Sequence, residues 1–506
     1  MSLARAWSVA LLGVRGHLVR VEADISNGLP TTTLIGLPDA ALAEARDRIR
    51  AAIVNSAQKW PQQRITLALS PADLRKHGSC FDVPLAVAVL AADGVIPAEA
   101  LAKVVLVGEL GLDGKVRGVR GVLPMVAAAV RAGFTQVLVP PDNASEAALL
   151  PEVEVRAVAT LRDLVELLNH RPCEVLVGRP AAPVAAPTPE DMADVVGQAE
   201  GRRAIEVAAA GGHHVHLHGA PGAGKTMLAR RLPGILPPLD AEAALEVTAV
   251  HSVAGILPPE SPLVRVPPFQ SPHHTATIAA LVGGGSGMPR PGAISCAHHG
   301  VLFLDEAPEF AGRALDCLRE PMERGDVTVA RAGGSFRFPA QFQLVLASNP
   351  CPCASPAGDA ACTCPPGVRR RYQAKLSGPL MDRVDLQVQV QPLSRVDLLV
   401  ERPVSESSAI VAARVRQARE AAAERLRGTG WRLNSEVPGP ALRTRWRLPA
   451  KTLEPATRSL ENGTLSARGF DRVLRVAWTV GDLEGHLRPD YYDVSEAVGL
   501  RIGRGP

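Results

Sequence analysis

Residues 211–226 read GGHHVHLHGAPGAGKT, from Gly211 to Thr226, and this stretch decides the fold of the chain around it. Val215 and Leu217 alternate into Gly219-Ala220-Pro221-Gly222-Ala223-Gly224-Lys225-Thr226, and Met227-Leu228-Ala229-Arg230-Arg231 continues as a helix. Strand, GxxxxGK[ST] loop and helix stand in the order that a phosphate-binding loop requires. Gly219, Gly222 and Gly224, with Pro221 between them, let backbone N–H groups turn inward around a phosphate, and the helix start adds partial positive charge. Lys225 is placed to reach the β/γ oxygens, and the Thr226 hydroxyl to ligate Mg²⁺. The cofactors expected are ATP, or a similar nucleoside triphosphate, and Mg²⁺.

Further along, Gly300-Val301-Leu302-Phe303-Leu304-Asp305-Glu306 is an apolar strand ending in two carboxylates. At about 80 residues beyond the loop, this is the Walker B pattern. Asp305 suits a Mg²⁺ ligand, and Glu306 a group that polarises the attacking water. A third apolar run, Gln343-Leu344-Val345-Leu346-Ala347-Ser348, ends in Asn349, and Leu376-Ser377-Gly378-Pro379-Leu380-Met381-Asp382-Arg383-Val384-Asp385 follows.

These motifs resemble the magnesium-chelatase type of AAA+ ATPase. The resemblance implies that Asn349 is sensor 1 and Arg383 an arginine finger acting on a neighbouring subunit's nucleotide. A homo-oligomeric ring, a hexamer, is then expected. Val196 and Gly197, ahead of an expected helix at Arg202–Ala210, would lie near the adenine. The helix expected over Leu465–Leu487 opens Leu465-Ser466-Ala467-Arg468-Gly469-Phe470-Asp471-Arg472. It resembles the family's C-terminal lid, with Arg468 as sensor 2 and Arg472 or Arg475 as alternatives.

Residues 1–170 alternate strand-like and helix-like stretches: strands at Val19–Ile25, Ile65–Leu69, Val104–Val107 and Gln136–Val139, helices at Asp39–Ser56, Val83–Ala92 and Pro124–Ala132. Gly36-Leu37-Pro38-Asp39, Ser70-Pro71-Ala72-Asp73-Leu74-Arg75-Lys76 and Phe81-Asp82-Val83-Pro84 are similar to the N-terminal domain of ComM/YifB-type proteins, which shares the fold of the Lon proteolytic domain. Lon-type proteolysis needs a serine with an activating lysine. Here Gly78-Ser79-Cys80 supplies a serine, but Gly121-Val122-Leu123-Pro124-Met125 has no lysine, so a non-proteolytic domain is expected. Ser79 with Lys76 is the remaining nucleophile candidate.

The fold expected is therefore α/β: a Lon-like domain over 1–170, a Pro/Ala-rich linker over 171–190, an AAA+ core with a parallel sheet over 191–393, and a helical lid over 394–506. Within the core, Cys351, Cys353, Cys362 and Cys364 form CPC-x8-CTC, a cysteine loop over 351–364. Four thiolates suit tetrahedral Zn²⁺, with two disulfides as the alternative, disfavoured in a reducing cytoplasm. His273 and His274 lack a third ligand at metal spacing and read as structural or pore residues. The resemblance to ring helicases implies a pore-facing hairpin at about Val327–Phe338, which makes Arg331 and Arg337 candidate contacts to a nucleic-acid backbone.

Composition narrows the partners. No apolar run approaches the ~20 residues that span a bilayer, and no signal peptide is evident, so a cytoplasmic protein without membrane contact is expected. Aromatic residues are only 3% of the chain, so the cores must be built from Ala, Val and Leu. Formal net charge is +4 over the whole chain. Residues 1–170 hold 17 Lys+Arg against 17 Asp+Glu, whereas 365–450 hold 16 against 8. That basic segment makes DNA a candidate partner, and a solvated or subunit-facing surface the plainer one. The family resemblance implies a DNA helicase or branch-migration motor; the alternatives are the ATPase subunit of a magnesium chelatase and a protein-remodelling ATPase.

Overall fold

Ser2–Leu12 (β1) pairs antiparallel with Arg15–Ser26 (β2) along their whole length, from Ser2 opposite Ile25 to Leu12 opposite Arg15. The turn between them needs Gly13, whose φ is 67° and whose position would drive a Cβ to 2.5 Å from the Arg337 carbonyl oxygen. This computed structural model describes residues 2–36, 44–74, 76, 78–179, 190–258, 262–285, 288–331, 334–353, 362–392 and 405–503. Leu37-Pro38-Asp39, Arg75, residues 180–189 of the expected linker and the start of the expected lid lie outside the described residues.

Around the first hairpin are Thr31–Ile35 (β3), Arg64–Ser70 (β4), Val104–Leu106 (β5), Gln136–Val139 (β6), Glu154–Ala157 (β7) and Leu176–Val177 (β8). They form one mixed sheet in the order β8-β7-β6-β5-β1-β2-β4-β3. The helices include Ala45–Asn55 (α1), Asp82–Ala92 (α2) and Val122–Arg131 (α3). Every residue of α2 is buried, which is why its sequence is Ala/Val/Leu on all sides rather than on one stripe. β1 and β8 depart from the sequence reading. β8 lies inside the stretch expected to be linker, where Leu176 and Val177 pair antiparallel with Ala157 and Arg156. A two-residue edge strand is too short to leave a period in the sequence.

The second sheet contains the phosphate-binding loop. Ala199–Gly211 (α4) leads to Val215–His218 (β9), then Lys225–Ile235 (α5) and Ala241–Ala254 (α6). Phe269–Gln270 (β10), Val301–Leu304 (β11), a hairpin of Asp326–Arg331 (β12) with Gly334–Pro339 (β13), and Gln343–Ser348 (β14) follow. Gly378–Met381 (α7) then precedes Leu386–Gln389 (β15). The sheet is wholly parallel, in the order β10-β11-β14-β9-β15. Its side chains alternate between two cores, as the two-residue period of a strand dictates. Val215, Leu217, Val301, Phe303, Val345 and Ala347 face a core shared with α4, α5 and the C-terminal helices. Leu302, Leu304, Leu344 and Leu346 face the other, which continues into the first sheet.

The units built on the two sheets meet through helices. α3 packs on α6, and the Ser252 hydroxyl donates to buried Glu146, which also accepts from the Leu123 N–H at 2.8 Å. The C-terminal helices include Ser408–Arg425 (α8), Ala467–Glu484 (α9) and Tyr491–Ile502 (α10). The second falls inside the helix expected over Leu465–Leu487. Trp478 is buried with the Arg425 guanidinium 4.5 Å above its ring, and Trp431 and Trp446 meet edge-on at 6.0 Å, so all three tryptophans serve packing.

Candidate active site

Three strand ends of the parallel sheet converge on one corner. β9 ends in the loop, whose Gly222 and Gly224 take φ of 74° and 95°, conformations that favour glycine. Gly219 passes so close to β15 that a Cβ would lie 2.2 Å from the Val390 carbonyl oxygen. Lys225 opens α5 with its Nζ folded back, donating to the carbonyls of Gly219 at 2.7 Å and Ala220 at 2.8 Å. Its third bond, 3.0 Å, goes to Asn349 Oδ1 at the end of β14. Burial pushes the Lys225 ammonium below its ordinary range, and the charges of Asp305 and Glu306 oppose that shift.

Asp305 and Glu306 follow β11 directly. The Thr226 hydroxyl donates to Asp305 Oδ2 at 2.7 Å, and Asp305 Oδ1 accepts the Glu306 N–H at 2.9 Å. A hydroxyl and a carboxylate side by side are hard oxygen donors of the kind that hold Mg²⁺ beside phosphates. Glu306 has φ of 50°, a left-handed conformation costly for a residue with a Cβ. Its carboxylate is exposed and lies 3.4 Å from His274 Nδ1. His274 is expected from the sequence to be a structural or pore residue; the tertiary structure brings it to the Glu306 carboxylate.

Val196 and Gly197 are half-buried ahead of α4, and Gln198 joins them to the loop. Its Nε2 donates to the Ala223 carbonyl at 2.9 Å and to the Gln391 carbonyl at 2.6 Å. Gln198 was missed because a single amide carries no motif. Pro221 is half-buried within the loop.

Two expected site residues make no side-chain bond to this corner among the described residues. Arg383 donates to the Pro379 carbonyl at 2.6 Å and to the Glu323 carboxylate, and its Nε is buried without a hydrogen-bond partner. Arg468 is exposed, with no side-chain partner among the described residues. The alternatives are engaged elsewhere: Arg472 with Asp385 at 2.8 Å, and Arg475 with the Val437 carbonyl at 2.7 Å.

The four loop cysteines come together, all four sulfurs lying within 4.8 Å of one another and none in a disulfide. Cys351 is buried, and its sulfur is 2.9 Å from that of Cys353 and 3.2 Å from that of Cys362. Residues 354–361 between them lie outside the described residues. A second group, Glu246 with His298 and His299, has a different chemistry. His298 Nδ1 accepts the Gln341 N–H at 3.1 Å, so its Nε2 carries the proton and donates to Glu246 at 3.1 Å. That nitrogen has no lone pair to offer a metal.

In the first domain, Ser79 donates to Glu109 rather than meeting an amine, and buried Lys76 donates to the Pro71 carbonyl. On the hairpin, Arg331 is exposed, and Arg337 pairs with Asp326. No helix among the described residues is long and apolar enough to cross a membrane.

Comparison with known proteins agrees with this geometry. Residues 191–398 match the family described as magnesium chelatase, subunit ChlI; residues 21–143 match subunit ChlI of Mg-chelatase; and residues 405–501 match its C-terminal part. An uncharacterized protein of Mycobacterium tuberculosis is 53% identical over 504 residues, 99% of each chain. The uncharacterized protein YifB of Escherichia coli is 40% identical over 507 residues, 99% of this chain and 97% of its own. Competence protein ComM of Haemophilus influenzae is 39% identical over 506 residues, 99% of this chain and 98% of its own.

Proposed function

The chain belongs to the ComM/YifB family of magnesium-chelatase-like AAA+ ATPases, and we propose that it is a ring-forming, ATP-driven motor that moves DNA strands, as in branch migration of recombination intermediates. The observation that carries the reading is the bonded corner of Lys225, Asn349, Thr226 and Asp305, with Glu306 beside it. In this reading Lys225 and the loop N–H groups bind the phosphates, and Thr226 and Asp305 hold Mg²⁺, which would neutralise phosphate charge. Asn349 orients the end of the phosphate chain. Glu306 accepts a proton from water, and His274 holds its carboxylate in place.

The ring reading rests on the role proposed for Arg383. The side-chain bonds of Arg383 go to the Pro379 carbonyl and to Glu323 and to none of Lys225, Thr226, Asp305, Glu306 or Asn349, which supports reading it as a group that leaves Glu323 to meet a neighbouring subunit's nucleotide. Residues 1–170 are read as a non-proteolytic Lon-like domain, 191–393 as the motor and 394–506 as its lid. The Ser79–Glu109 contact supports a non-proteolytic role, since a carboxylate partner neither supplies the activating amine nor leaves the hydroxyl free. The four-cysteine cluster is read as a structural zinc site: zinc–sulfur bonds of ~2.3 Å suit thiolates gathered this closely.

DNA as the substrate is supported by the net basic segment 365–450, by exposed Arg331 on the β12–β13 hairpin, and by a relative named as a competence protein. Turnover of ATP with and without single-stranded and forked DNA tests the reading, together with movement of a labelled forked junction. DNA-stimulated turnover and junction movement, both lost in Lys225→Ala, are expected. Turnover indifferent to DNA with an immobile junction overturns the DNA motor and favours the chelatase-type reading, which the matched family descriptions motivate.

A further inference from the structure

The segment Arg383-Val384-Asp385 joins α7 to β15, and the C-terminal helices hold it at two points. Arg472 of α9 donates to Asp385 Oδ1 at 2.8 Å, and Arg501 of α10 donates to the Val384 carbonyl. Asp385 is fully buried, and its other oxygen accepts the His214 N–H at 3.0 Å. The Asp385 N–H in turn donates to the His214 carbonyl at 3.0 Å. His213, next in the chain, places Nδ1 3.6 Å from the same carboxylate and Nε2 2.7 Å from the Thr479 hydroxyl of α9.

Burial alone would raise the Asp385 carboxyl, but the Arg472 guanidinium and the two histidines hold it well below the usual carboxylate range. It is therefore a buried anion whose principal cation comes from α9. Removing that cation would strand the charge, so α9 and the segment are bound to move together. Between this anchor and Arg383 there is only Val384, itself buried and packed in the core. Two residues of chain span at most ~7 Å, leaving no slack to absorb a shift.

We infer that Arg472 is a positioning residue for Arg383: by gripping Asp385 it fixes the segment that presents the guanidinium, and so governs hydrolysis in the neighbouring subunit rather than in its own. The inference rests on the reading of Arg383 as an arginine finger in a ring. It assigns Arg472 a part different from nucleotide sensing, and makes the α9 helix the element through which one subunit's lid acts on the next subunit's site. Arg468, one helical turn before Arg472 on the same helix, is exposed.

Complementation between full-length subunits tests it. Lys225→Ala keeps the finger and loses its own phosphate site; Arg383→Ala keeps the site and loses the finger. Each should be inactive alone, and a mixture should recover turnover. Adding Arg472→Gln to the Lys225→Ala subunit should cut the recovered turnover roughly tenfold or more, the scale of a misplaced catalytic group. Adding it to the Arg383→Ala subunit should leave the mixture within about twofold, since there it serves no finger. Arg472→Lys, which keeps the charge, should restore part of the loss, and thermal melting checks that each variant folds. Loss in the second arrangement alone, or equal loss in both, overturns the inference. If Lys225→Ala and Arg383→Ala fail to complement each other, the finger reading itself has failed and the inference falls with it.

Discussion

Lys225 Nζ lies 3.0 Å from Asn349 Oδ1, so one hydrogen bond ties the phosphate-binding loop to the end of the central strand β14. The ammonium has its bonds satisfied by two loop carbonyls and this amide. Replacing Asn349 with Ala removes a group that would meet the terminal phosphate and leaves Lys225 with the two carbonyls. Turnover should fall roughly a hundredfold, the cost of losing one preorganised polar group at a reacting centre. The KM for ATP should change far less, and steady-state kinetics read both. A KM effect without a kcat effect would make Asn349 a binding residue only.

Glu306 and His274 make a separate prediction. Glu306→Gln should retain ATP binding and lose turnover by ~10²–10⁴-fold, the usual contribution of a general base. Fluorescent-nucleotide titration alongside phosphate release separates the two effects. His274→Ala should reduce turnover less, since it orients the carboxylate rather than taking the proton.

Glu323 holds Arg383 in a pair whose two side chains are 60% and 13% exposed. A pair this open is worth about 0.2–1 kcal/mol. Glu323→Gln should free the guanidinium and raise turnover ~2–5-fold at subsaturating protein concentration, that energy expressed as a rate ratio. Turnover measured against protein concentration decides it; a lower rate throughout would mean that Glu323 aids Arg383 rather than competing for it.

Cys351, Cys353, Cys362 and Cys364 should carry about one zinc per chain by elemental analysis under reducing conditions. Double replacement of Cys351 and Cys362 with Ser should abolish the metal and lower the thermal midpoint. Absence of stoichiometric zinc from the unaltered protein removes the assignment.

His216 is buried, and that burial pushes its imidazole down to about 3. The folded state keeps it neutral, while the unfolded chain takes up a proton below ~6.5. Its contribution is therefore fully present above pH 6.5 and declines as the pH falls toward 3, amounting to about 2 kcal/mol lost by pH 5. His216→Gln should flatten the fall in thermal midpoint between pH 7 and pH 5. An unchanged slope would place the sensitivity elsewhere.

The parts of this protein legible in its sequence are those whose chemistry is local. A phosphate-binding loop must bring Gly222, Gly224 and Lys225 together within a few residues, and an apolar strand must precede it, so Gly219–Thr226 declares both the fold around it and its ligand class. Asp305 and Glu306 are readable for the same reason, as carboxylates at the end of an apolar run. The buried stretch Val83–Ala92 is readable because a segment covered on every side must be apolar throughout.

What the sequence determined, then, is the set of elements and the reacting groups that sit at their ends. Only the tertiary structure decided which groups share a partner. His274 reaches Glu306 across 32 residues, Gln198 ties the entry segment to the loop, and Arg472 reaches Asp385 across 87 residues. None of these contacts leaves a periodic trace, because a side chain paired across the fold answers to the distance between elements and not to the spacing of its own neighbours. The same holds for Arg383, whose motif is plain in the chain but whose partner Glu323, 60 residues earlier, appears only when the elements are assembled.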